Sequence, residues 1–586
     1  MLSTSGKNWK ETSINQRIVD KAKNDNDLTE IQAKIIIKRK FTELEVASLS
    51  NNIEVLNPFL RNQDFKNGHY ILDKSIKNNE KVLIIGDYDV DGCVSASLFV
   101  NFFKLINKEV EYYIPNRFKD GYGASLKLIK QLVKKKPHLI IMVDCGSNSN
   151  DAIEFLNKNN IRSIIIDHHE IYQPYPKSGI LINPKKDCNY KEFDYFCTAT
   201  LVYFFINSFL KKKDLIDNFK KNLFFVLLAS ICDVMPLRKL NRIIAIEIFR
   251  NLKYYNNYLL SKIFELKKKN SPYSIDDFGF LFGPILNSAG RLDDANKIVE
   301  LLTTDNIKTK DRIIQNIIEI NEKRKKIEER FIKDINLRKI SKIESNVLII
   351  CENIAHEGII GIAASKLKEY FNKPTIVITK SKDEFKASAR STLNFNIGKS
   401  IKDAIDKKII LNGGGHNLAA GFSIKKDKIK KFSNFINEIY KKNKLVNSNE
   451  YISKISLSAI NYDFFKNLQI LGPFGPFNEN PIFLVENIKI LKPKILKDKF
   501  ISCYAKSKSS KLFPVISFNL IESEINQTLL YNKNEMSLIV KIKENVWNNK
   551  KNLQLIVLDT ITNLNNTWLI IIYTIKNTIL VPSSIG

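Results

Sequence analysis

Cysteine is scarce in this chain and none of it is closely paired: Cys93, Cys145, Cys188, Cys197, Cys232, Cys351 and Cys503 include no C-x-x-C spacing. That excludes a zinc ribbon built on thiolate pairs, and an odd number argues against a closed disulfide framework, so a reducing, cytoplasmic setting is expected. Long apolar runs are missing too. No uninterrupted stretch approaches the roughly 18 residues needed to cross a bilayer, and the opening MLSTSGKNWKETSINQR has no apolar h-region, so no membrane association is expected. The third shortage is of acid: 62 Asp and Glu stand against 92 Lys and Arg, a formal net charge of +30. Such a chain suits an anionic partner such as nucleic acid. Much of the excess is lysine, alongside abundant Ile and Asn, which is also how a coding sequence biased toward A and T would read. Charge alone therefore does not define the partner.

With 586 residues the chain is too long for one core and divides into about three or four domains. Residues 1–50 are polar and helix-prone. From about residue 80 short β-branched runs alternate with helical segments: KVLII, CVSASLFVNFFKLI, HLIIMV, AIEFLNKNN and SIII. Repeated β-α-β order with continuous apolar strands implies a parallel sheet covered on both faces, whose ligands sit beyond the carboxyl ends of the strands. Between 306 and 345 the residues Ile313, Ile314, Ile317, Ile318, Ile320, Ile327, Phe331 and Ile335 recur at helical spacing, which predicts one long amphipathic helix. It leads into a second α/β unit from NVLIICE to about 445. Beyond it PIFLVENIKI, FPVISFNL, MSLIVKIKE and LQLIVLDT read as short strands of a small OB-like barrel. Phe477, Phe483, Tyr504 and Trp547 in this region are read as core aromatics in preference to base-stacking ones.

Acids and imidazoles collect where the first sheet should end. IIGDYDVDGC places Asp87, Asp89 and Asp91 at alternate positions after a strand. An EF-hand is excluded, because the twelfth position, which needs a bidentate Glu, is Leu98. The strands HLIIMV and SIII run into Asp144 and into Asp167, His168 and His169, and Asp233 follows the apolar segment FFVLLASIC. A lone Asp after a strand is ordinarily a helix cap or turn residue. Several at one sheet edge are tolerable only with cations, and hard carboxylates with one or two imidazoles suit Mn²⁺ or Mg²⁺. Two such ions can clamp a phosphoryl oxygen and activate water, so hydrolysis at phosphorus is the chemistry implied. On an extended backbone His168 and His169 would point in opposite directions. His168 is then assigned as ligand, His169 as the group facing the phosphate, and Asp167 as the residue orienting an imidazole. In NGGGHNLAAGF the glycines Gly414 and Gly415 before His416 let backbone amides approach a phosphate, and the following segment is expected to open a helix. Arg390 in ASARS can grip a phosphate in a bidentate fork beside Ser388. His356 in AHEG is read as a polar residue ahead of a helix.

The segments DYDVDG, VDCG, DHHE and CDVMPL, in this order, resemble the four motifs of the DHH phosphoesterase superfamily. YIPNRFKDGYG, FGPILNSAGRLDDA, EGIIGIAASKL, ASARS, GGGHNLAAGF and LGPFGPFNENPIF are similar to segments of its bacterial single-strand-specific exonucleases. The likeness spans about residues 50–560. It implies an α/β fold: an N-terminal helical segment (1–50), a parallel-sheet DHH catalytic domain (51–305), a connecting helix (306–345), a second α/β, DHH-associated, domain (346–445), an OB-like β-barrel domain (446–565) and a tail (566–586). It also implies 5′→3′ hydrolysis of single-stranded DNA in recombination and repair, with two Mn²⁺ or Mg²⁺ ions. Asp89, Asp91, Asp144, His168 and Asp233 would hold the metals, with Asp87, Asp167 and His169 beside them. Arg117, Arg291, Ser388, Arg390, His416, Gly414 and Gly415 would bind the DNA. Single-stranded DNA is the implied partner, a single-strand-binding protein and a helicase are further candidates, and a monomer is expected. Two departures stand out. FCTATLVYFF lacks a glycine expected after the third motif, and GRLDDA carries Leu292 and Asp293 where Met and Gly are commoner. A phosphoesterase on short oligonucleotides or cyclic dinucleotides would need only the two-domain core, and a non-catalytic relative would have lost carboxylates that are intact here.

Overall fold

The computed structural model describes residues 1–562 except 122, 178, 187–190, 256, 270–271, 336–344, 353–355, 382–383, 444–448, 498–499, 509–510, 520 and 548–549. Cys188, the Trp547 side chain, the tail from 566 and the end of the 306–345 segment lie outside the described residues. The chain forms two compact units: residues 50–446 with 475–478, and residues 1–49 with 447–474 and 479 onward.

In the larger unit a five-stranded sheet runs in the order Glu111–Tyr113, Val82–Ile85, Leu139–Val143, Arg162–Ile166, Ile180–Ile182. Every neighbouring pair is parallel. Because side chains alternate across a strand, the central strands feed two separate cores. Val82, Ile84, Ile141 and Ile164 pack on one face with the Val90–Leu105 and Thr198–Phe209 helices, while Leu83, Ile85, Ile140 and Ile165 pack on the other with the Leu126–Leu132 and Asn150–Lys158 helices. This double coverage is why the strands read as unbroken apolar runs.

The long helix spans Ile307–Asp334, 28 residues or about 42 Å. Its beginning, Ile313, Ile314 and Ile317, is buried in the first lobe's core, and Phe331 is buried in the second's. Between them Asn321, Arg324 and Glu328 are buried: Arg324 donates to Asn321 at 3.0 Å and to Glu328 at 3.1 Å, and the half-exposed Lys366 meets Glu328 at 2.5 Å. The second lobe is a mixed sheet ordered Asn412–His416, Ala419–Ile424, Glu384–Arg390, Thr375–Ser381, Leu348–Cys351. Here one expectation is corrected. NGGGH is an edge strand that turns directly into the Ala419–Ile424 strand, and no helix opens after it. Gly413 and Gly415 serve close pairing, since a Cβ on Gly415 would lie 2.4 Å from the Ala420 Cα, whereas one on Gly414 would meet nothing within 4 Å.

The smaller unit closes as a barrel. Strands Phe483–Leu496, Phe500–Lys506, Phe513–Ser517, Lys550–Thr562 and Met536–Trp547 pair in turn, and Met536–Trp547 pairs back to Phe483–Leu496. Three of the strands are longer than the apolar runs indicate, Phe513–Ser517 is shorter than FPVISFNL, and Phe500–Lys506 had no counterpart among them. The Phe483–Leu496 strand continues through the lysine-rich KPKIL across an irregularity between Leu491 and Lys494, which breaks the alternation. The first 49 residues, which carry the helices Gln16–Asp25, Glu30–Arg39 and Glu43–Ala47, pack as part of this unit. Trp9–Glu11 pairs with Asn449–Tyr451, and Ser3, Ser5 and Trp9 all donate to the buried Asp559 carboxylate at 2.6–2.9 Å. Of the aromatics read as core, Phe483 is buried, but Phe477 and Tyr504 are 65% and 40% exposed. No helix among the described residues is long and apolar enough to cross a membrane.

Candidate metal centre and nucleic-acid cleft

The Val82–Ile85 strand delivers the first acids, and helix starts hold them. Asp89 caps the Val90–Leu105 helix, accepting from Gly92 N at 3.1 Å. Asp91 lies in that helix's first turn and accepts from Thr198 N and Ala199 N, both at 2.8 Å, at the start of a second helix. A carboxylate between two helix N-termini is favourably placed. Asp144 follows the Leu139–Val143 strand with φ +60° and accepts from the Thr198 hydroxyl at 2.9 Å. Asp233 ends the Leu223–Cys232 helix.

Three of these acids converge on one imidazole. His168 Nε2 is 3.4 Å from Asp233, 3.5 Å from Asp144 and 3.8 Å from Asp91. Ligand atoms within 4.8 Å of one another form three groups: Asp91, His168 and Asp233; Asp144, His168 and His169; Asp87, Asp89 and Asp144. Asp144 belongs to two of them, as a residue between adjacent cation positions would. The two histidine rings lie side by side, 4.8 Å between centroids, and do not point in opposite directions as an extended backbone would require. The strand stops at Ile166, and Asp167 Oδ1 then accepts from both His168 N and His169 N, which turns the chain.

The same carboxylate accepts from His169 Nδ1 at 2.8 Å. Burial opposes the charge on each, yet their mutual attraction prevails: Asp167 is held well below the usual carboxylate range and His169 is raised to about 10. Burial, reinforced by the His169 cation, lowers His168 instead, leaving it neutral as a ligand must be. Burial and then Asp89 push Asp87 up to about 8 and Asp91 up to about 6; burial and then Asp91 drive Asp144 and Asp233 well above the ordinary range. Asp87 Oδ1 and His168 Nδ1 are buried without a hydrogen-bond partner. Crowded, desolvated carboxylates with orphaned atoms are what a divalent cation would relieve, so the residues fit Mn²⁺ or Mg²⁺.

His169 and Asp167 face a cleft of about 870 Å³ whose other wall is the second lobe, including Ser388, Arg390, Gly414, Gly415 and His416. Arg117 also lines it, 5.1 Å over the Tyr88 ring. Arg390 donates to Ser388 Oγ at 3.2 Å. Arg291 lies behind this wall and donates to Gly358 O at 3.1 Å. Burial and then Arg117 and Arg390 depress Arg291 to about 10, and burial and then Arg117 lower Arg390. Arg117 and Arg390 thus present two guanidiniums to the cleft, a lining suited to an anion. His416 stacks 6.2 Å from His169 and lies 3.6 Å from Glu170, whose carboxyl it helps hold at about 2. His356 accepts from Gly358 N at 3.1 Å just ahead of the Ile360–Phe371 helix. Sequence reasoning assigned nothing to Thr198, Ser147, Asn183 and Glu170. Ser147 N donates to Asp167 at 3.1 Å, and Asn183 donates to Ser147 Oγ at 2.8 Å and to His169 O at 2.9 Å. Glu170 ends the quoted DHHE, and Thr198 lies in the segment noted for its missing glycine.

Residues 81–231 match the DHH family N-terminal domain and 344–442 the DHHA1 domain, and with the carboxylate–histidine cluster they define a DHH-family protein. Residues 453–559 match the RecJ OB domain, and with all three domains in this order the chain belongs to the RecJ family. It is 26% identical over 548 residues to the single-stranded-DNA-specific exonuclease RecJ of Bacillus subtilis, covering 91% of this chain and 68% of that protein. It is also 26% identical over 557 residues to the Escherichia coli exonuclease of that name, covering 89% and 95%. The crystal structure of RecJ in complex with Mn²⁺ from Thermus thermophilus aligns with a TM-score of 0.79 at 19% identity, covering 95% of this chain and 80% of that one. That likeness is one of fold.

Proposed function

We propose that the protein is a single-strand-specific DNA exonuclease that hydrolyses phosphodiester bonds from the 5′ end and releases mononucleotides. The observation that carries this reading is the carboxylate ring around His168 Nε2, which opens through His169 onto a cleft walled by Arg117 and Arg390. Asp89, Asp91, Asp144, His168 and Asp233 would hold two divalent cations, with Asp87 beside them. Bound Mn²⁺ or Mg²⁺ supplies neutralisation of the phosphoryl oxygens and a lowered pKa for water. His169, kept protonated by Asp167, presents a positive ring to the phosphate and can hand a proton to the departing 3′-oxygen. Arg117, Arg291 and Arg390, with Ser388, Gly414, Gly415 and His416, would hold the backbone without reading bases, giving salt-sensitive, sequence-tolerant binding.

An enzyme confined to unpaired DNA depends on a process that unpairs it. A helicase and a single-strand-binding protein are therefore the partners we propose, with the enzyme acting as a cytoplasmic monomer in recombination and repair. The test is digestion with Mn²⁺ of one oligonucleotide labelled at either end, beside its blunt duplex. Immediate release of the 5′ label as a mononucleotide, a slow ladder from the 3′ label and an inert duplex are expected. Digestion of the duplex at the same rate, or a ladder from the 5′ label, would overturn the reading.

A further inference from the structure

The segments GRLDDA and EGIIG meet in the interior. A Cβ on Gly290 would lie 2.1 Å from the Tyr88 carbonyl oxygen, and a Cβ on Gly358 would lie 2.1 Å from the Arg291 carbonyl oxygen. Neither obstacle is a movable side-chain tip; both are backbone. The contacts form a column from the 87–89 loop, through the end of the Gly283–Leu292 helix, to the second lobe. Val90 N donates to Asn287 at 3.1 Å along the same path, and Arg291 Nη1 donates back to Gly358 O at 3.1 Å. Phe118 meets His356 edge to face at 5.3 Å beside it. Three residues on, a Cβ on Gly361 would lie 3.1 Å from both Arg390 Nη2 and Ser388 Oγ. The column thus begins between Asp87 and Asp89 and ends under the phosphate grip.

We propose that Gly290 and Gly358 are positioning residues: by seating three backbone segments directly on one another they fix the span between the metal-holding carboxylates and the Ser388/Arg390 grip, and hence where the strand is cut. This rests on the reading of the cleft as a single-strand nuclease site. Neither glycine touches substrate; each acts through the carbonyl it admits. A methyl group on Gly358 forces the lobes apart by about 1 Å before ordinary van der Waals separation is reached. Misplacement of that size costs on the order of a hundredfold in rate while leaving each wall of the cleft intact.

The test compares wild type, Gly358→Ala and Gly361→Ala in the full chain by four measurements. These are the Kd of a labelled oligothymidylate in EDTA, kcat/KM and product length on that strand with Mn²⁺, hydrolysis of bis(p-nitrophenyl) phosphate with Mn²⁺, and Tm. The small ester needs the metal centre and no second grip. Gly358→Ala is expected to raise Kd at least tenfold and lower kcat/KM on the strand ten- to a hundredfold, with products no longer uniformly mononucleotides and the ester rate within twofold of wild type. Gly361→Ala, whose neighbours are flexible tips, should show the same pattern at about three- to tenfold, and it decides the matter if Gly358→Ala does not fold. Strand cleavage unchanged in the folded variants, or strand and ester rates falling together, would overturn the proposal. Wild type that binds the strand and hydrolyses the ester yet never cuts DNA would instead remove the nuclease reading, and the proposal with it.

Discussion

The Thr198 hydroxyl offers the sharpest handle on the metal centre. It is buried, donates to Asp144 Oδ1 at 2.9 Å, and does nothing that a valine methyl could not replace sterically. The backbone donors to Asp91, Thr198 N and Ala199 N, are untouched by the change. Thr198→Val therefore removes one hydrogen bond to a carboxylate shared by two ligand groups. Such a bond contributes about 1.5–3 kcal/mol, which at about 1.4 kcal/mol per decade is about tenfold to a hundredfold in affinity. Loss of an outer hydrogen bond to a metal ligand has consequences of that order. The Mn²⁺ concentration giving half-maximal cleavage should rise by that factor, the rate at saturating Mn²⁺ should stay within about threefold, and Thr198→Ser should restore the wild-type requirement. A Thr198→Val protein with the wild-type Mn²⁺ requirement would refute the assignment of Asp144 as a shared ligand.

Replacing Arg390 by Ala should weaken binding uniformly across homopolymers and reduce the log–log salt slope by about 0.7, one phosphate contact on a single strand; a base-dependent loss would point to readout instead. His69, donating from Nε2 to Phe205 O at 2.8 Å among aromatic rings, is held below its ordinary pKa of 6.5 by burial. Its depressed folded-state pKa means that its contribution is complete above pH 6.5 and is lost as pH falls through the folded value. Thermal melts from pH 8 to pH 5 should thus show a shallower acid loss for His69→Gln than for wild type, and parallel curves would contradict it.

The first sheet was legible because parallel strands buried on both faces must be apolar throughout, so KVLII and HLIIMV announce themselves. The acids after them were legible by their number: one Asp beyond such a strand is ordinarily a cap, as Asp89 also is, but several at one sheet edge call for a cation. What escaped depended on distance along the chain. The Thr198 hydroxyl acquires its meaning only from Asp144, 54 residues away, and Trp9 from Asp559, 550 residues away. Local pattern misled after NGGGH, where a helix start was expected and the chain instead returns as the Ala419–Ile424 strand, paired closely at Gly413 and Gly415. It misled again at Phe477, whose left-handed backbone, φ +59°, turns an aromatic toward solvent. The two adjacent histidines needed the Asp167 turn, which is a hydrogen-bond pattern and not a composition.

The most direct test is anomalous diffraction at the manganese edge from crystals of the protein grown with Mn²⁺. The clustering of Asp91, Asp144, His168 and Asp233, with Asp87 and Asp89 adjoining, predicts two peaks within coordination distance of these side chains, both lost in Asp144→Asn together with cleavage of single strands. Peaks elsewhere, or an Asp144→Asn protein that still cuts, would contradict it.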